Sequence, residues 1–152
     1  MTLDLRAVLP HLLPKAIAWA EQRADAVLRT GAALDDESLS VARRVGVAQP
    51  ELIRVALVLQ MPFPSDPALR QAAMATGFLG ADTAGLTLGH AVLIRQGHDS
   101  IRLRSHECRH VAQYEEAGSI AAFLPVYLGQ IVQHGYAAAP LELDARRHEI
   151  EA

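Results

Sequence analysis

The feature that most constrains this chain is its punctuation. Apolar residues at helical spacing run to a glycine stop, again and again, and only two stretches change to the alternating pattern of a strand. From Leu3 to Thr30, the residues Leu12, Leu13, Ala16, Ile17, Ala20, Ala24, Val27 and Leu28 mark one face of a helix that Gly31 closes. Pro10 and Pro14 mark where that helix is expected to break. "LDDESLSVARRVGV" reads as a second helix, capped by Asp35 or Asp36 and stopped at Gly46; its acidic first turn faces unpaired backbone N–H groups. "DPALRQAAMATG" reads as a third, with Asp66 as cap, Pro67 at the first helical position and Gly77 as stop. Further helices are expected from Asp99 or Ser100 to about Glu116, from Ser119 to Gly135, and from Pro140 onward.

Two segments do not follow this rule. In "ELIRVALVLQMP", Ile53, Val55, Leu57 and Leu59 alternate with other residues up to a proline-rich turn, which predicts a strand. Leu86 to Ile94 is alternating, rich in aliphatic residues and bounded by glycine, which predicts one strand interrupted or bulged near Gly89. The expected class is α+β, mostly helical, with one small sheet whose later strand immediately precedes the helix from Asp99. No repeat, low-complexity tract or linker divides the chain, so residues 1–152 are expected as one domain. Helices occupy 1–48; the sheet and the later helices occupy 49–152.

A chain of 152 residues can bury a core without a covalent staple. It has to, because Cys108 is its only cysteine, which excludes an internal disulfide and a cysteine-rich zinc knuckle. The net charge of -3 gives no electrostatic footprint for nucleic acid, and the pairs Arg43–Arg44 and Arg146–Arg147 read as solvated helix faces. No apolar run is long enough for a bilayer, so no membrane partner is expected. The opening residues carry Asp4 where a secretory signal is basic, and Pro10, Pro14 and Lys15 interrupt its apolar stretch. A cytoplasmic chain is expected, with its oligomeric state left open.

Within the helix from Asp99 lies His106-Glu107-Cys108-Arg109-His110, an H-E-x-x-H sequence. Residues four apart stack on one helical face, so His106 and His110 can present two imidazoles to one ion. Glu107, about 100° round the helix, can reach a water there without binding the ion. Such a sequence arises in about 2% of shuffled chains of this composition, so its context must carry weight beside it. Here the context is a credible helix, a strand before it and a carboxylate-bearing helix after it. A catalytic zinc site needs a third protein ligand. Gln113 and Glu116 stand where one class of such sites places glycine and histidine, so that class is excluded. Glu142, Asp144, His134 and His148 remain as downstream ligands. Cys108 is expected on the core side of the helix, away from the ion, as a small buried hydrophobe.

A resemblance narrows this choice. Thr87, Gly89 and Val92 before H-E-x-x-H-x-x-Q, with Gln113 as the glutamine, and Glu142 and Ala145 as a later E-x-x-A, resemble zincin metallopeptidases of the glutamate-ligand class, similar to small bacterial zincin-like domains. The likeness covers about the C-terminal half. It implies a zincin-like fold in which His106, His110 and Glu142 bind Zn2+ and Glu107 is the general base. It also implies peptide or protein as substrate. Several families of this class place a carboxylate after E-x-x-A, to orient a ligand histidine; Arg146 stands there instead. Gln113 and Asp144 are further candidates to support the site, and His134 and Tyr136 to donate to an oxyanion. The alternative expectation is a zinc-binding interaction or regulatory domain of this fold without peptidase turnover.

Overall fold

The computed structural model describes residues 4–151. It is α+β and mostly helical, with one four-stranded sheet in the order β1-β2-β4-β3. Helix α1 spans Leu5–Thr30, with the Asp4 side chain accepting from the Ala7 N–H at 3.3 Å. Leu3, where the sequence pattern starts this helix, lies outside the described residues. The expected break at Pro10 or Pro14 does not occur. The two prolines lie four apart on the exposed face, as do Arg6 and Pro10, whose carbonyls lose their helical donors, so water can satisfy what the prolines leave open. The opposite face buries Leu12, Ala20, Ala24 and Val27.

The N-terminal region, expected to hold helices alone, also contributes a strand. β1 (Ala32–Ala33) pairs antiparallel with β2 (Arg54–Val58), which is shorter than the alternating stretch that predicts it. Between them α2 (Asp36–Arg44) starts at Asp35, whose carboxylate accepts from the Ser38 N–H at 2.8 Å. Helix α3 (Pro67–Ala75) starts at Asp66 in the same way. The single strand expected from Leu86 to Ile94 is instead a hairpin, β3 (Gly85–Leu88) and β4 (Ala91–Arg95), in antiparallel register with Thr87 opposite Val92. The bulge residue of the sequence reading is a turn residue. Gly89 has φ +69°, which a side-chain-bearing residue rarely adopts and a two-residue hairpin turn requires.

β4 is an interior strand, parallel to β2 on one side and antiparallel to β3 on the other. Its residues alternate between two buried layers. Ala91 and Leu93 join Leu86, Leu88, Phe123, Leu124, Tyr127 and the buried face of α1; Val92 and Ile94 join Ile53, Val55, Ala42, Val45, Cys108 and Val111. Each large aliphatic side chain so buried contributes about 1.5–3 kcal/mol. The sheet therefore lies between helices on both faces, and period two decides what β3 shows to each. Leu86 and Leu88 face the α1 layer, which turns Gly85 and Thr87 toward α4 (Ile101–Ala117). α4 begins at the Ser100 cap and ends at Gly118; α5 (Ile120–His134) and α6 (Pro140–Arg147) follow. No helix among the described residues is long and apolar enough to cross a membrane.

Candidate metal centre

Helical spacing on α4 brings the His106 and His110 rings to a 5.0 Å centroid separation, one turn apart. α6 lies against α4 and delivers Glu142 to the same point. Glu142 is buried, at a relative exposure of 2%, with Oε1 at 3.2 Å from His106 Nε2 and Oε2 at 2.7 Å from His110 Nε2. One ligand atom from each of these three side chains lies within 4.8 Å of the others, so the group could hold a metal ion. Ala145, fully buried one turn after Glu142's neighbour Leu141, keeps the α6 surface small where it enters the core. The Tyr127 hydroxyl on α5 donates to Glu142 Oε2 at 2.8 Å and completes the carboxylate's surroundings.

The other ring nitrogens are committed as well, and their partners make each Nδ1 a hydrogen-bond donor. His106 Nδ1 lies 2.8 Å from Glu149 Oε2; a carboxylate only accepts, so Nδ1 carries the hydrogen. The Gln113 amide nitrogen donates to the Leu141 carbonyl at 3.0 Å and to Asp144 Oδ2 at 2.8 Å, so Gln113 presents its oxygen to His110 Nδ1 at 2.8 Å. Nδ1 must then be the donor. Both rings turn Nε2 toward the Glu142 carboxylate, a second acceptor, so without a metal each ring has an acceptor at both nitrogens; a metal that replaced the Nε2 protons would find the lone pairs there, with Nδ1–H still held by its own partner.

With Glu142 between them, the two imidazoles hold protons strongly. Burial opposes the charge on His106, but the Glu142 hydrogen bond and the Glu107 and Glu142 charges prevail and raise it to about 9. His110 is raised by the same partners against an even deeper burial. Burial also opposes ionisation of Glu142, yet the His106 and His110 hydrogen bonds hold its carboxyl well below the ordinary range.

Glu107 is buried and held from the sheet side. The Thr87 hydroxyl lies 2.8 Å from Glu107 Oε1 and 3.1 Å from the Glu107 carbonyl, and donates its one hydrogen between them. Gly85 makes room: a Cβ there would stand 2.7 Å from Glu107 Oε2 and 2.8 Å from its carboxyl carbon. The Gly85–Thr87 alternation of β3 thus sets where this carboxylate lies.

Glu107, His106, Glu142, Tyr136, Arg146 and Glu149 line one cleft of about 570 Å³, walled by residues 80–85 on its far side. Tyr136 lines the cleft; desolvation there, with the Glu142 and Glu107 charges, pushes its hydroxyl up, although the residue as a whole stays exposed. The remaining residues singled out in the sequence lie elsewhere. His134 is the exposed last residue of α5 and joins neither the cluster nor the cleft lining. Asp144 pairs with Arg109 Nε at 2.8 Å and with Gln113, and His148 Nδ1 donates to the Asp144 carbonyl, so neither meets the imidazoles. Cys108 is buried in the α4–sheet layer, where burial pushes its thiol up to about 12.

Sequence reasoning missed Glu149 and Tyr127. Glu149 follows the last turn of α6, and reaches His106 only because the chain folds back: the Ile150 N–H donates to the buried Ser105 hydroxyl at 2.8 Å, and Arg102 Nε donates to Glu149 at 2.8 Å. No local pattern announces that return. Tyr127 sits in an apolar helix and reads as core, which it also is.

Comparisons with known proteins return no match: no family model fits the chain, and no curated protein or solved structure is significantly similar to it.

Proposed function

We propose that this chain is a zinc-dependent metallohydrolase of the zincin kind, with a glutamate as third ligand and peptides as substrate. The observation that carries the proposal is the convergence of His106 Nε2, His110 Nε2 and the Glu142 carboxylate beside a separately held Glu107. The donor set fits zinc: two imidazole nitrogens and one carboxylate are the protein share of a catalytic zinc site, and the hydrogen bonds at both Nδ1 atoms leave the correct nitrogens facing inward. Zinc bound there would supply Lewis acidity, lowering the pKa of a coordinated water to about 7 and polarising the scissile carbonyl.

The chain's own residues supply the proton handling. Glu107 Oε1 is occupied by Thr87, so Oε2 takes the proton as water attacks the carbonyl and returns it to the leaving nitrogen. The neutral phenol of Tyr136 donates to the carbonyl oxygen as it gains charge. β3 is the edge strand of the sheet and its Gly85 lines the cleft, which suits an extended peptide added alongside it. Digestion of casein by the purified protein tests the proposal. Zinc-dependent cleavage lost in Glu107→Gln supports it, whereas a protein that binds zinc and cleaves nothing belongs to the interaction-domain class instead.

A further inference from the structure

Among the described residues, Arg146 is an arginine of the cleft wall that no carboxylate engages. The other, Arg102, is held by Glu149 at 2.8 Å, with Glu151 at 3.6 Å. Arg146 is exposed and donates only to the Ala137 carbonyl. Its expected partner has left. Glu142 stands four residues earlier on α6, where an isolated helix would pair the two, but its side chain is turned inward to His106 and His110. Asp82 also lines the cleft, and among the described residues it makes no ion pair with Arg146. An unneutralised guanidinium beside the reacting centre, with most of its planar fork of donors uncommitted, matches a carboxylate.

We propose that Arg146 binds a carboxylate of the substrate next to the cleaved bond, making the cleft selective for peptides with an acidic side chain or a free C-terminus there. One helical turn, about 6 Å, separates Arg146 from Glu142 along α6. An extended peptide advances about 3.3 Å per residue, so the carboxylate lies within about two residues of the scissile bond. This inference rests on the peptidase reading of the cleft.

Calorimetry on the full-length Glu107→Gln protein, with and without zinc, separates the two ideas because it reads binding without turnover. The probes are blocked Ala–Ser hexapeptides carrying Asp or Asn at each position in turn, and the all-neutral peptide with a free or an amidated C-terminus. One acidic probe should bind about tenfold more tightly than its amide twin. Adding Arg146→Gln should bring that ratio to about one, and Arg146→Lys should keep part of it. Whether the favoured probe carries Asp or the free C-terminus names the source of the carboxylate. Equal binding of every acid and amide pair, or no binding at all, overturns the assignment. So does a preference that survives Arg146→Gln, including one that disappears only with zinc, because the carboxylate then binds elsewhere. If the preference holds but the wild-type protein cleaves none of the probes, the peptidase reading fails, and what stands is that Arg146 binds a ligand carboxylate in the cleft, with no cleaved bond beside it.

Discussion

Gln113 holds His110 Nδ1 as a hydrogen-bond donor. Its amide nitrogen is taken by the Leu141 carbonyl and Asp144, which leaves its oxygen, at 2.8 Å, as the acceptor for His110 Nδ1. Gln113→Leu should therefore weaken zinc binding about 10- to 100-fold without abolishing it at saturation, as loss of an outer partner does. Competition titration against a chelating dye measures this. Unchanged affinity would mean that the hydrogen bond orients nothing. Asp144→Ala, which acts only through Gln113, should cost less than Gln113→Leu.

His106 has an equivalent support from much further along the chain. Glu149 reaches its Nδ1 from beyond α6, with Arg102 and the Ser105–Ile150 contact holding the returning chain. Glu149→Ala should lower zinc affinity by about 10- to 100-fold as well, while Glu151→Ala, whose ion pair to the exposed Arg102 is a longer one, should leave it unchanged. Equal titration curves for Glu149→Ala and wild type would remove Glu149 from the site.

The placing of Glu107 depends on β3 in a way that the proposed zinc ligands do not. A side chain at position 85 would displace the Glu107 carboxylate, and Thr87 supplies its only hydrogen bond among the described side chains. Misplacing a reacting group by about 1 Å can cost about 100-fold in rate. Gly85→Ala should therefore reduce kcat by roughly that factor and keep its zinc. Thr87→Val should lose turnover, with Thr87→Ser restoring most of it. A Gly85→Ala protein that turns over normally would show that Glu107 does not act from where it lies.

Protons and zinc compete at the imidazoles. His106 is raised from the ordinary 6.5 to about 9, so its proton contributes stability to the metal-free protein that is complete below pH 6.5 and is lost as pH rises through about 9. Zinc must displace such protons, so its uptake should release them into solution and its apparent affinity should rise across the same window. Thermal unfolding followed from pH 6 to about pH 9.5 should show the metal-free Tm falling while the increment given by zinc grows. A zinc increment independent of pH would contradict protonated histidines in the metal-free cluster.

Most helix boundaries and caps were legible in the sequence, because Asp35, Asp66, Ser100 and Ser119 act locally and announce themselves. The β3–β4 hairpin was not. Gly89 in an alternating run signals a bulge as readily as a turn, and only pairing of β4 with β2 decides between them. β1 is two residues long and carries no pattern at all. At the site, the His106–His110 spacing is a property of one helix, whereas the approach of Glu142 depends on α6 packing against α4. Glu149 and Tyr127 depend on chain paths that no spacing rule describes. Gly85 could have been suspected from its place two residues before Thr87, but the reason for it is visible only in the space that Glu107 fills.

The central claim is that Glu142 binds the metal and Glu107 does not. Zinc content of purified Glu142→Ala and Glu107→Gln, measured beside wild type by elemental analysis under identical conditions, tests it most directly. The account predicts about one zinc per chain in wild type and in Glu107→Gln, and little in Glu142→Ala. Full zinc in Glu142→Ala, or loss of zinc in Glu107→Gln, would contradict it.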